Sequence, residues 1–248
     1  MGSDFSGVVV SVGPCVTRFK VGDAVFGLSR IKESGALGHA VVTNENFLAK
    51  KPDNISFEDA ACLGTPAVTA WNGLQDKAKL TVGKRVFVND CGGAVGAATV
   101  QLARILGATV AGSCSAGAMS SARSLGVETV FDYRTTDLSK LDKRFDVVFD
   151  TAATMTVKTG LGLLAPGGVF LDIDPTPAKF IRSIFNRRLK PIACSPRADI
   201  LDGLARIARE GKLLLPVAEI VPLSEAIPLI TALERGRAPG GKCLVAMD

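Results

Sequence analysis

The sequence predicts an α/β fold organised around a doubly wound parallel sheet, and three observations carry that expectation. From about residue 84 onward, short apolar runs alternate with helical patterns, separated by Gly and Pro. Hydrophobic residues make up 47% of the chain and charged residues 21%, the balance expected when parallel strands are covered on both faces. Residues 86–96 pass from an apolar run through a glycine-rich turn into a helical pattern, the order of a βα unit. The 248 residues suffice for one large α/β domain, or for one full domain and part of another.

Residues 7–48 have a different rhythm, with β-like runs at 8–12, 24–28 and 40–43 punctuated by Gly13, Gly22, Gly27, Gly35 and Gly38. This is the pattern of a barrel or sandwich. The alternating part opens with a strand over 85–89 and a helix over 95–106, where Val95, Ala98, Leu102, Ile105 and Leu106 repeat at helical spacing and form a stripe for burial. Strand 109–112 and helix 118–125 follow, then strand 129–131, strand 146–150 and helix 155–164. Strand 168–173, helix 178–188 and strand 190–194 complete the series. A helix over 198–209 leads to a tail with a helix over 224–235 and a strand over 242–247, which is expected to return to the β-rich part.

Charge and composition exclude several classes. The net charge of +5 is spread along the chain and aromatic residues are only 6%, so no nucleic-acid partner is expected; the densest basic run, 182–190, reads as a solvated face or a phosphate contact. The six cysteines form no CxxC and no His-Cys cluster, which argues against a zinc ribbon or a disulfide framework and for free thiols in a reducing compartment. No apolar stretch reaches spanning length and no signal peptide is evident, so the expectation is a cytoplasmic protein without a membrane partner.

The strongest motif is the turn Gly93-Ala94-Val95-Gly96 between a strand and a helix. A pyrophosphate needs backbone N–H groups at a helix N-terminus, and glycine lets the backbone come close to it. In an NAD-binding fingerprint a carboxylate about twenty residues on, at the tip of the second strand, holds the ribose hydroxyls. Here that tip is Ser113-Cys114-Ser115, whose hydroxyls suit a 2′-phosphate and thus NADPH, and which argues against a methyltransferase-like binder. Tyr133 is the only tyrosine and Asp137 stands four residues later, so the Tyr-x-x-x-Lys pair of short-chain dehydrogenases is missing.

With the turn, Gln101-Leu102-Ala103 and Gly107-Ala108 complete a segment that resembles the zinc-free medium-chain dehydrogenase/reductase family, in its quinone oxidoreductase, zeta-crystallin-like branch. The resemblance extends to Gly2-Ser3-Asp4-Phe5-Ser6-Gly7, to 19–27, to 66–71 and to Gly240-Gly241-Lys242. Position 90 is Asp where relatives usually have glycine, which places a carboxylate near an anionic ligand. The family fold implies a Rossmann domain over 64–198 and an incomplete GroES-like β-barrel domain formed by 1–63 and 199–248. It also implies that Thr69 faces the nicotinamide from a cleft, that Ile173 ends the strand beneath that ring, and that Tyr133 and Arg134 close over the 2′-phosphate.

Zinc-dependent relatives carry a His where this chain has Ser3 and a second ligand near Thr65, so no metal is expected. His39, the only histidine, is expected at the surface or hydrogen-bonded in the core rather than in catalysis. The implied activity is hydride transfer from NADPH to a small electrophile, a quinone or an α,β-unsaturated carbonyl (enone), with no catalytic acid identifiable. The alternative is a cofactor-binding, catalytically impaired relative acting as a redox sensor or partner subunit. Family members begin several tens of residues earlier, so weak activity is expected of this chain as it stands. A homodimer is expected through the last strand of the sheet, 190–194, whose open edge relatives pair with a second copy.

Overall fold

The computed structural model describes residues 2–29, 35–141, 145–237 and 240–247. The chain divides into two compact units, one formed by Met1–Val68 with Pro196–Asp248 and the other by Thr69–Ser195.

The second unit holds a six-stranded parallel sheet. Its strands are β4 (Arg85–Asn89), β5 (Thr109–Cys114), β6 (Thr129–Asp132), β7 (Phe145–Asp150), β8 (Leu164–Asp172) and β9 (Leu189–Pro191). They lie in the order β6-β5-β4-β7-β8-β9, so the chain builds outward from β4 on one side and then from β7 on the other. That reversal is the topological switch point at which open α/β sheets bind ligands.

Helix α3 (Ala94–Ile105) connects β4 to β5, and α4 (Met119–Ser124) connects β5 to β6. Helix α5 (Val157–Gly162) and α6 (Pro177–Phe185) form the crossovers into β8 and β9. In α3 the expected apolar stripe is buried at Ala98 and Leu102, whereas Ile105, in the last turn, is exposed. The central strands bury both faces: Phe87 packs on Phe145 with ring centroids 5.2 Å apart, within a core shared with Val148, Leu163, Phe170 and Leu189.

The first unit has a three-stranded antiparallel sheet of β1 (Asp4–Val8), β2 (Ala24–Leu28) and β3 (Leu48–Lys50). A second, parallel pair joins β10 (Val217–Pro222) to β11 (Lys242–Ala246), one strand from each end of the tail. Its helices are α1 (Phe57–Cys62), α7 (Ala198–Arg209) and α8 (Ala226–Glu234), while α2 (Thr65–Trp71) crosses from this unit into the next in sequence.

Three sequence expectations are displaced. The run at 8–12 is not a strand; its ladder lies earlier, because β2 pairs Val8 with Ala24 and Asp4 with Leu28, leaving Val10 exposed. The run at 40–43 joins no ladder, and Thr43 instead donates its hydroxyl to the Leu28 carbonyl at 2.8 Å. The last parallel strand is Leu189–Pro191 rather than 190–194, ending where Pro191 pairs with Asp172 and has no N–H to offer a further neighbour.

Candidate functional site

The turn after β4 is shaped by contacts that leave no room for side chains. Gly96 lies so close to the preceding backbone that a Cβ there would fall 2.0 Å from the Asp90 carbonyl oxygen. Gly93 is the N-cap of α3, a twelve-residue helix, and no side chain caps it. The first N–H groups of α3 are therefore available to an anion at the positive end of the helix dipole.

Asp90 sits in the left-handed region at φ 62°. Its carboxylate leans over the N-cap, with Oδ2 2.3 Å from where a Cβ on Gly93 would stand. Burial, and then the nearby Asp150 charge, push the Asp90 carboxyl up from its ordinary value, with a hydrogen bond from the Gly93 N–H pulling the other way. Burial and the Asp150 charge thus make the ionised form of this carboxyl less favourable than it is in water.

The strand register aligns a polar row beneath the turn. Ser113 pairs with Asn89, Asn89 with Asp150, and Asp150 with Asp172, across β5, β4, β7 and β8. The side chains repeat that order: the Ser113 hydroxyl donates to Asn89 Oδ1 at 2.8 Å, and Asn89 Nδ2 donates to Asp150 Oδ1 at 2.8 Å and to the Thr154 hydroxyl at 3.0 Å. Asp150 also accepts the N–H groups of Ala152 and Met155, at 3.2 and 2.8 Å. At the end of the row, fully buried Asp172 pairs with Lys179 of α6 at 2.7 Å, and Asp174 reaches the same ammonium at 3.0 Å. Burial alone would lower the Lys179 pKa; the two carboxylates outweigh it and hold the ammonium above its ordinary value.

Sequence reasoning named Ser113 but not Asn89, Asp150, Asp172 or Lys179. A signal was present, since Asn89, Asp150 and Asp172 each follow an apolar run at the end of a strand. Such residues stand at the ligand-facing edge of a parallel sheet.

The expected phosphate cluster is partly assembled. Ser113 is fully buried and its hydroxyl is committed to Asn89, so it faces inward. Cys114 is also buried; its thiol hydrogen-bonds that of Cys91, and burial raises the pKa of both. Ser115 is half-buried at the N-cap of a short 3-10 turn, yet its hydroxyl makes no cap bond. Tyr133 N–H donates to the Cys114 carbonyl at 3.3 Å, and the Arg134 guanidinium lies 5.7 Å from the Tyr133 ring centroid. Ser115, Tyr133 and Arg134 therefore share one end of β5 and β6. Ile173 follows β8, its N–H directed at the Asp150 carbonyl at 3.4 Å, and Thr69 is buried within α2.

In the first unit the residues expected to match the metal ligands of zinc-dependent relatives, Ser3 and Thr65, lie beside a hydrogen-bonded ion pair. Asp4 Oδ1 accepts the Thr65 N–H at 2.7 Å and the Thr65 hydroxyl at 2.5 Å, Ser3 lies 3.3 Å from the Thr65 hydroxyl, and Lys242 pairs with Asp4 Oδ2. Buried Cys62 has its thiol pushed up to about 11, chiefly by burial. Among the described residues no group of three or more His, Cys, Asp or Glu side chains could hold a metal ion. His39 is exposed.

Comparison with known proteins agrees with this architecture. Residues 1–53 match the alcohol dehydrogenase GroES-like domain, and residues 125–245 match a family described as zinc-binding dehydrogenase. A chloroplast envelope quinone oxidoreductase homolog from Arabidopsis thaliana is 30% identical over 239 residues, covering 90% of this chain and 73% of that protein. A mycocerosic acid synthase-like polyketide synthase from Mycobacterium tuberculosis is 30% identical over 254 residues, covering 94% of this chain, which spans only 12% of that much longer protein. The solved quinone oxidoreductase from Coxiella burnetii superposes with a TM-score of 0.87 at 25% identity, over 100% of this chain and 78% of its own. A glycine turn at the switch point of a six-stranded parallel sheet, a GroES-like segment and a relative aligned over most of both lengths have one common explanation: the chain belongs to the medium-chain dehydrogenase/reductase family of NAD(P)-dependent oxidoreductases.

Proposed function

We propose that the chain is an NADPH-dependent reductase that delivers hydride, without zinc, to a quinone or an α,β-unsaturated carbonyl. The observation that carries the proposal is the turn at Gly93 and Gly96: an uncapped helix N-terminus approached by backbone that no side chain could share. A pyrophosphate fits such a cradle, its charge met by the N–H groups of Ala94, Val95 and Gly96. The nicotinamide would supply the hydride, and the protein binds, orients and shields it. Ser115, Tyr133 and Arg134 supply a hydroxyl, a ring and a cation suited to a 2′-phosphate, with buried Ser113 fixing the strand tip from beneath. Thr69 and Ile173 are assigned to the nicotinamide side.

The electrophile assignment rests on the relatives named as quinone oxidoreductases and on the lack of an identifiable proton donor, which quinones and enones tolerate better than simple ketones do. A homodimer through the open edge of β9 remains part of the proposal, as does the absence of a nucleic-acid partner.

Two measurements test the reading together. Purified protein is titrated with NADPH by nicotinamide fluorescence, and NADPH oxidation is followed with a simple quinone. Binding with turnover is expected, and Gly96→Ala should abolish binding. Binding without turnover would instead support the impaired-relative alternative, and absence of binding would refute both.

A further inference from the structure

Helix α6 is amphipathic the wrong way round for a helix that covers a core. Amphipathic surface helices normally turn their apolar stripe inward. In α6 no residue is buried, and Phe180, Ile181, Ile184 and Phe185 are exposed by 47, 59, 73 and 86%. Phe180 and Ile184 are four residues apart, as are Ile181 and Phe185, so the four form one continuous stripe. The helix is held from its other side by polar contacts, the Lys179 ammonium on Asp172 and Asp174. Scattered exposed apolar side chains are ordinary, but four large ones on a nine-residue helix form a contiguous patch of the kind that marks an interaction site.

The charge around the stripe specifies what covers it. Between Asp174 and Asp199 the sequence has no acidic residue and carries six basic ones, Lys179, Arg182, Arg187, Arg188, Lys190 and Arg197. Lys179 is paired as above, Arg188 donates to the carbonyls of Gly168 and Ala165, and Arg197 pairs with Asp199. Arg182 and Arg187 are exposed and have no ion-pair partner among the described residues. The proposed dimer seats a second copy on the β9 edge; seating one on the α6 stripe instead would set Arg182 and Arg187 against their own copies across the two-fold axis. A short apolar stripe flanked by unpaired arginines instead matches a negatively charged interface with an apolar interior.

We infer that α6 is a peripheral membrane-docking element, its Phe180-Ile181-Ile184-Phe185 stripe entering the outer layer of an anionic lipid bilayer while Arg182 and Arg187 meet the headgroups. No helix among the described residues is long and apolar enough to cross a membrane, and surface docking requires none. This revises the expectation of no membrane partner, which rested on the lack of a spanning stretch. It does not depend on the nucleotide assignment.

The test is co-sedimentation of the full chain with vesicles of phosphatidylcholine alone or mixed with phosphatidylglycerol, at low and high salt. Binding is expected to the mixed vesicles only, and to weaken with salt. Arg182→Gln and Arg187→Gln should each lower the partition coefficient by about fivefold. The double variant Ile184→Ser, Phe185→Ser should lower it by at least about tenfold. Because all four side chains are exposed, the variants should keep the thermal transition of the parent. No binding to mixed vesicles at low salt, or binding indifferent to both sets of substitutions, would overturn the assignment. So would a parent that ignores vesicles but is converted from dimer to monomer by the serine variant, since a second copy would then be the occupant.

Discussion

Asp90 is the residue at which the candidate cradle conflicts with its ligand, and replacing it by Asn isolates the conflict. Asn tolerates the left-handed backbone at φ 62° and keeps the size of the side chain, so Asp90→Asn removes the charge alone. The carboxylate leans over the N-cap of α3, which places it on the order of 5 Å from an anion seated on that helix. At an effective dielectric of about 20, two unit charges at that separation repel by about 3 kcal/mol, and partial solvent exposure reduces the net penalty to about 1–2 kcal/mol. The variant should therefore bind NADPH about 5- to 30-fold more tightly at pH 8. The sign with pH follows from the raised pKa. Stability contributed by the protonated carboxyl is complete below the ordinary value of 3.8 and is lost as pH rises through the raised folded-state value. A bound anion favours the same protonated form, so the parent's affinity should fall relative to the variant's as pH rises across that window. Fluorescence titrations of both proteins, from near the ordinary carboxyl value of 3.8 up to about pH 8, measure this. Unchanged or weaker binding by the variant, or a gain of equal size at every pH, would refute the electrostatic account.

Ser115→Asp should erase a preference for NADPH over NADH of roughly 1–3 kcal/mol, read by titrating both cofactors. Ser113→Ala should leave that preference intact and instead destabilise the fold by about 1–3 kcal/mol, because buried Asn89 loses its donor; denaturant midpoints decide between the two serines. Elemental analysis of protein purified without chelator should find no stoichiometric zinc, since Ser3 and Thr65 occupy the ligand positions and Lys242 pairs with Asp4 beside them; one zinc per chain would contradict this. Sedimentation at micromolar concentration should show a dimer; a parent that is purely monomeric would rule out the β9 interface.

The parts of this molecule that were legible in the sequence are those decided by local chemistry. The strand, turn and helix around Gly93 and Gly96 were visible because only glycine fits where a side chain would collide with the Asp90 backbone, and β2 and α7 were visible because period and punctuation agree. Misplaced elements were those whose bounds depend on a partner: β1 is set by register with β2, and β9 by its pairing with β8. The site divides along the same line. A hydroxyl at a strand tip is legible, but which way it faces is not, and Ser113 and Ser115, two residues apart, have opposite fates. Side chains alternate across a strand, yet β5 ends between these serines, so alternation does not carry over from one to the other. What turns Ser113 inward is Asn89, twenty-four residues away on the neighbouring strand, whose second hydrogen-bonding group is already taken by Asp150. Once Asp150, Asn89 and Ser113 have satisfied one another, Ser113 has no hydroxyl proton left to give, whereas Ser115, beyond the strand, makes no cap bond; of the two serines it is the one whose hydroxyl stays uncommitted.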